Sequence, residues 1–174
     1  MVFVPNKRTR LPVEATPELA ARLGVIVAHA AYLEDQMSGL FTDLMETDPA
    51  KSSMAFNEIA GRRRRDILVA LLQTKQPRDI ADTLAALIQT EVRTAFNRRN
   101  ELVHATFAVQ DVKANKLQRM DSFGNNQPVI LTPKGLDEDI RYLAKTNAAF
   151  EWLRLALQLP SLAIPPEQRD HPTQ

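Results

Sequence analysis

The chain has 174 residues, 44% of them hydrophobic and 25% charged, which suits one domain with a sizeable core. A net charge of +1 excludes an argument from overall basicity, so any attraction for nucleic acid must be local. The absence of cysteine excludes disulfides and thiolate sites and fits a reducing compartment, while five glycines beside abundant Ala, Leu, Arg and Glu favour helices over an all-β or Rossmann fold.

Residues 1–16 read as an extended arm without the apolar run of a signal peptide, and no segment is long and apolar enough to span a bilayer. The expectation is a soluble cytoplasmic protein with no membrane partner. Thr16-Pro17-Glu18 supplies an N-cap, a proline at the first helical position and a first-turn acid. The helix after it carries Leu23, Ile26, Val27, Ala30, Met37, Phe41, Leu44 and Met45 at helical spacing. It should stop near Asp48-Pro49, because the residue before proline avoids helical geometry.

A second predicted helix starts near Ser52 or Ser53, with Phe56, Ile59, Ala60, Ile67, Leu68, Leu71 and Leu72 on one face, and ends before Pro77. The third runs from about Arg78 to Thr106, with Ile80, Leu84, Leu87, Ile88, Ala95 and Leu102 inward. From Phe107 to Leu131 the pattern changes to rough alternation (Phe107, Val109), then the turn signal Gly124-Asn125-Asn126 and Val129-Ile130-Leu131. This predicts a short β-ribbon or an ordered loop. Thr132-Pro133 opens a fourth helix with Leu136, Ile140, Leu143, Asn147, Phe150 and Leu157 along its seam, and the proline-rich tail 160–174 reads as irregular. The expected fold is all-α, an up-and-down four-helix bundle over residues 17–159 with a short β-ribbon or loop insertion before the last helix.

Some polar residues fall where apolar ones belong. Glu34 sits in the apolar stripe of the first helix, and a carboxylate there must be paired or protonated. In the run Arg62-Arg63-Arg64-Arg65, a helical wheel puts Arg63 and Arg64 beside the apolar face and Arg62 and Arg65 closer to solvent. One reading is a buried Glu34 pair with Arg63 or Arg64 that sets helix register. The other is that Arg62 and Arg65, with Arg98, extend a phosphate-binding surface. Asn147 reads as a register-setting polar residue.

The segment Asn97-Arg98-Arg99-Asn100-Glu101-Leu102-Val103-His104 carries the chemistry. A cation, an orienting amide and a base are what metal-free work on a phosphodiester requires. Phe96, Asn100, Val103, His104 and Phe107 fall on a face opposite the core stripe of the third helix, at about 100° per residue. A helix apolar on two sides is packed on two sides, so either the 107–131 segment or a second copy of the chain is expected to cover this face. The plain alternative is a histidine capping a helix C-terminus among solvated arginines. Arg99 and His104 are five apart, about 140° on a regular helix, and converge only if the helix loosens or the site is shared across a dimer.

Arg99-Asn100-Glu101-Leu102-Val103-His104 resembles the signature of the HEPN superfamily, in which an arginine followed by a polar residue precedes a histidine by a few positions. Ala31-Tyr32-Leu33-Glu34 is similar to a motif common in those proteins, and the resemblance covers roughly residues 18–158. It implies a homodimer that cleaves RNA without a metal or cofactor, its two signatures facing each other across a cleft. Carried over by matching position, His104 is the general base on the ribose 2′-OH or the acid on the leaving 5′-oxygen. Arg99 binds the scissile phosphate, and Asn100 orients histidine or phosphate. The expected product is a 2′,3′-cyclic phosphate. Such domains are often toxins of toxin–antitoxin or phage-defence systems, which adds a cognate antitoxin to the expected partners. The competing readings are an inactive HEPN-like module that binds nucleotide or RNA, and a helical adaptor held together by Glu34, Arg98 and Arg99. His29, His104 and His171 are scattered and show no metal-ligand spacing.

Overall fold

The computed structural model describes residues 16–104, 106–111, 116–120 and 129–158, with side chains described over 16–104 and 129–158. The expected arm up to residue 15 and the expected tail from residue 160 lie outside the described residues, as do the side chains of Phe107 and Val109. The protein is mostly helical. In chain order the elements are α1 (Pro17–Met45), α2 (Pro49–Glu58), α3 (Gly61–Lys75), α4 (Arg78–Leu87), a π-helical segment (Ile88–Val92), α5 (Arg93–Val103), β1 (Thr106–Asp111), β2 (Lys116–Met120), β3 (Val129–Leu131) and α6 (Pro133–Gln158).

α1 begins at Pro17, and the Ala20 N–H donates to Thr16 O at 3.0 Å. Its buried positions, Leu19, Ile26, Ala30, Leu33, Met37, Leu40 and Leu44, alternate by threes, fours and sevens. Val27 and Met45, expected inward, are 40% and 38% exposed, because this stripe is narrower than the one read from spacing. The helix stops where Glu46 takes a left-handed backbone, φ 53°. Asp48 then caps α2, its Oδ1 accepting from the Lys51 N–H at 3.1 Å.

The second expected helix is two helices. Ile59 and Ala60 are extended, with ψ 131° and 140°, and separate α2 from α3. Arg64 stabilises the break. Its Nε donates to Ile59 O and its Nη2 to Asn57 O, both at 2.8 Å, and its guanidinium lies 5.2 Å from the Phe56 ring centroid. A cation is thereby placed on the carbonyl end of α2, where the helix dipole favours it. The third expected helix is α4, a π turn and α5 in succession, with the Arg93 N–H reaching Ile88 O five residues back. It ends at Val103 rather than at Thr106.

The chain divides into two compact units. The first comprises Met1–Ala30 and Phe96–Leu143. Within it the expected ribbon is a three-stranded antiparallel sheet in the order β1-β2-β3. Thr106 pairs with Met120 and Leu117 with Leu131, and the register shifts between Val109 and Asp111. Thr132 caps α6, with the Gly135 N–H donating to its Oγ1 at 3.2 Å, as Thr132-Pro133 implied. Arg22 binds Asp137 (Nε to Oδ1, 2.8 Å) and Glu18 (2.9 Å), and the hydrogen bond with Asp137 raises its pKa above the ordinary guanidinium value.

The second unit comprises Ala31–Ala95 and Ala144–Gln174. Leu33, Leu40, Phe56, Leu68, Leu72, Leu84, Ile88 and Phe150 are essentially fully buried, and each contributes about 1.5–3 kcal/mol of transfer free energy. Phe41 and Phe56 pack with ring centroids 5.2 Å apart. Asn147 is buried at 4% exposure, and so is Gln36, whose two amide atoms have no hydrogen-bond partner among the described residues. Gly39 meets the Arg154 guanidinium, whose Nε donates to Asp43 Oδ2 at 2.8 Å while Gln158 Nε2 donates to the same oxygen at 3.0 Å.

The expected buried pair between Glu34 and Arg63 or Arg64 does not form, because none of these residues is buried. Glu34 is half-buried, Arg63 is exposed and Arg64 is half-buried. Arg64 turns its Nε and Nη2 to the carbonyls of Ile59 and Asn57 at the end of α2 rather than to Glu34.

Candidate functional site

The polar segment singled out from sequence spans the second half of α5 and the residue after it. Phe96 and Leu102 are buried at 8% and 3% exposure. Arg99 lies three residues from each, between the core stripe that carries Leu102 and the second face that carries Phe96, and it is half-buried there. The Arg99 Nε is out of contact with solvent and has no hydrogen-bond partner among the described residues, while Nη1 donates to Asn100 Oδ1 at 2.9 Å. A buried donor left unmatched costs about 1–3 kcal/mol, so fold stability alone disfavours an arginine here.

The His104 N–H donates to Asn100 O at 3.0 Å and closes the last turn of α5, and its side chain is exposed. α5 ends at Val103, and His104 is held at its C-terminus by that i→i−4 bond. Asn100 thus holds the Arg99 guanidinium through its side chain, while its carbonyl makes the ordinary backbone bond to the His104 N–H. On the second face of this helix Phe96 is buried, whereas Asn100, Val103 (45%) and His104 are exposed.

The neighbouring Arg98 is committed elsewhere. Its Nη1 binds Asp139 Oδ1 at 2.7 Å and its guanidinium lies 4.2 Å from the Tyr142 ring centroid. Arg98 was expected on a phosphate surface, but it ties α5 to α6 inside the first unit. Its partners Asp139 and Tyr142 escaped the sequence reading. The start of α6 offers Asp137, Glu138 and Asp139 in a row, and spacing does not say which of them meets an arginine. Beside this pair, a cleft of about 180 Å³ is lined by Leu102, Val129, Ile130, Leu131 and Thr132.

Arg62 and Arg65 lie on α3, in the second unit, Arg62 exposed and Arg65 half-buried. Burial holds the Arg65 pKa below the ordinary guanidinium value; Asp66 pulls it back up, and Arg93 and Arg62 push it further down. Arg93 was not singled out by sequence, because the π turn that directs it has no local signature.

Among the described residues, no helix is long and apolar enough to cross a membrane, and no group of three or more His, Asp or Glu is placed to hold a metal ion. No protein-family model matches the sequence, and no curated protein or solved structure matches it either. What remains is chemistry. A guanidinium with unused donors, an amide that fixes it and an exposed imidazole lie within six residues, a set able to bind a phosphodiester and move a proton on it.

Proposed function

We propose that the protein is a metal-independent endoribonuclease of the HEPN type, a four-helix-bundle homodimer with a site made of Arg99, Asn100 and His104. The observation that carries this reading is the Arg99 guanidinium. It is fixed by Asn100 and keeps a sealed, unmatched Nε, five residues before an exposed histidine. Such a residue costs stability and is retained for what it binds.

In this reading His104 takes the proton of the ribose 2′-OH, and the 2′-oxygen attacks the adjacent phosphorus. The bond from phosphorus to the 5′-oxygen of the next nucleotide breaks, and that oxygen takes a proton from a His104 imidazolium, giving a 2′,3′-cyclic phosphate and a 5′-hydroxyl. The Arg99 Nη donors bind the non-bridging oxygens as their charge grows, and Asn100 holds that guanidinium in place. The exposed face of Asn100, Val103 and His104 is the one offered to a second copy, which brings two such sets to one cleft. A cytoplasmic toxin or phage-defence role, with an antitoxin that covers this face, fits the same chemistry.

The test is chemical. RNA is expected to be cut to cyclic-phosphate ends while DNA of the same base sequence survives, since it lacks the attacking hydroxyl. Equal cutting of both, or intact RNA after incubation with folded dimer, contradicts the reading.

A further inference from the structure

A second cluster of cations lies within the second unit. α3 and α4 are joined through the two residues Gln76-Pro77 and pack on each other, and α3 also packs on the π segment. In such an antiparallel pair, residues equally far from the turn lie at one level, at about 1.5 Å of rise per residue. Arg65 is eleven positions before Gln76, which sets it level with Ile88 at the start of the π segment, and Arg62, fourteen before, falls level with Glu91, two residues short of Arg93. Arg65 is one turn from the buried Leu68 and Val69, and Arg62 is one turn further on the same side.

The three guanidiniums therefore share one end of the hairpin. Arg65 is partly desolvated there, and of the charges acting on it Arg93 and Arg62 repel while Asp66 attracts. The first turn of α3 contains no acidic residue. The π turn re-aims the residues after it, and such insertions concentrate at functional positions. Like charges gathered at a half-buried position are relieved by an anion, and guanidinium matches phosphate geometry through paired donors.

We propose that Arg62, Arg65 and Arg93 form a docking site for the phosphates of an RNA backbone, distinct in role from Arg99 and His104. The choice of RNA rests on the ribonuclease reading; the site itself rests on the cluster. The probe is a fluorescent 2′-O-methyl RNA, which lacks the attacking hydroxyl and cannot be cleaved, and its binding is followed by anisotropy from low to high potassium chloride.

Replacing all three residues with glutamine is expected to weaken binding at least tenfold at low salt. It should also lower the slope of log Kd against log salt by about 2, since each single-strand phosphate contact contributes about 0.7. Arg62→Glu alone, at an exposed position the fold tolerates, is expected to weaken binding in the same direction. The triple lysine variant should keep the salt slope while binding more weakly. Unchanged affinity and slope in the glutamine variant, with thermal melting matching wild type, overturns the proposal, as does a wild-type protein that binds no RNA. If wild type binds RNA through these arginines yet cleaves none, the docking site stands and the ribonuclease reading falls. If it cleaves RNA while the glutamine variant binds normally, only the docking site falls.

Discussion

Adjacent arginines with opposite duties should separate cleanly when each is replaced. Arg98 forms an ion pair with Asp139 whose side chains are 39% and 23% exposed, and it stacks on Tyr142 at 4.2 Å. A pair this exposed contributes about 0.2–1 kcal/mol, and the cation–π contact about 0.5–1 kcal/mol. Arg98→Ala is therefore expected to cost about 1–2 kcal/mol in urea unfolding, with the m value unchanged. A domain with about 5–15 kcal/mol of stability stays folded after that loss, so under the proposed ribonuclease function the variant should keep most of the RNA cleavage. Arg99→Met does the reverse. It removes an unmatched buried donor, so stability should hold or rise by up to about 1 kcal/mol, while cleavage falls by about two to three orders of magnitude. An Arg98→Ala protein as stable as wild type, or an Arg99→Met protein destabilised by more than about 1 kcal/mol, refutes this division.

Gly39→Ala sets helix propensity against a close approach: a Cβ there would lie 2.5–2.6 Å from Cζ and both Nη atoms of Arg154 and must push the guanidinium off Asp43. The expected change is near zero in the wild-type background and a gain of about 1 kcal/mol when Arg154 is alanine, and equal gains in a thermal double-mutant cycle would refute it. Gln36→Leu removes two unmatched amide atoms from a buried position and is expected to stabilise by about 1–2 kcal/mol in chemical denaturation; a loss of stability contradicts that. Arg64→Ala deletes both bonds to the α2 carbonyls and the Phe56 contact, for an expected cost of about 1–3 kcal/mol and faster hydrogen exchange confined to α2. Uniform exchange across the helices would argue that Arg64 does not hold the break.

How much of the fold was legible in the sequence depends on how local each signal is. Thr16-Pro17, Asp48-Pro49 and Thr132-Pro133 mark helix starts, because capping and proline stereochemistry act within one turn. The break at Ile59-Ala60 stayed hidden because the apolar pattern runs through it, and the cap comes from Arg64, a residue of the next helix. The π segment is a backbone choice among ordinary residues, so neither it nor the facing of Arg93 was legible. At the candidate site, spacing singled out Arg99, Asn100 and His104 as a set, and it assigned Arg98 to a phosphate surface because the Asp139 partner lies 41 residues away along the chain. Glu34 failed for a related reason: spacing puts a carboxylate near a stripe but does not fix how deeply it is buried or which arginine is free to meet it.

The most direct test of the central claim is incubation of purified protein with total RNA in EDTA, beside His104→Ala and Arg99→Ala, with the product ends characterised. Cleavage is expected to survive chelation, leave cyclic-phosphate ends and disappear in both variants while both remain folded. Cleavage that EDTA abolishes, or that either variant retains at the wild-type rate, would contradict a metal-free site built on Arg99 and His104.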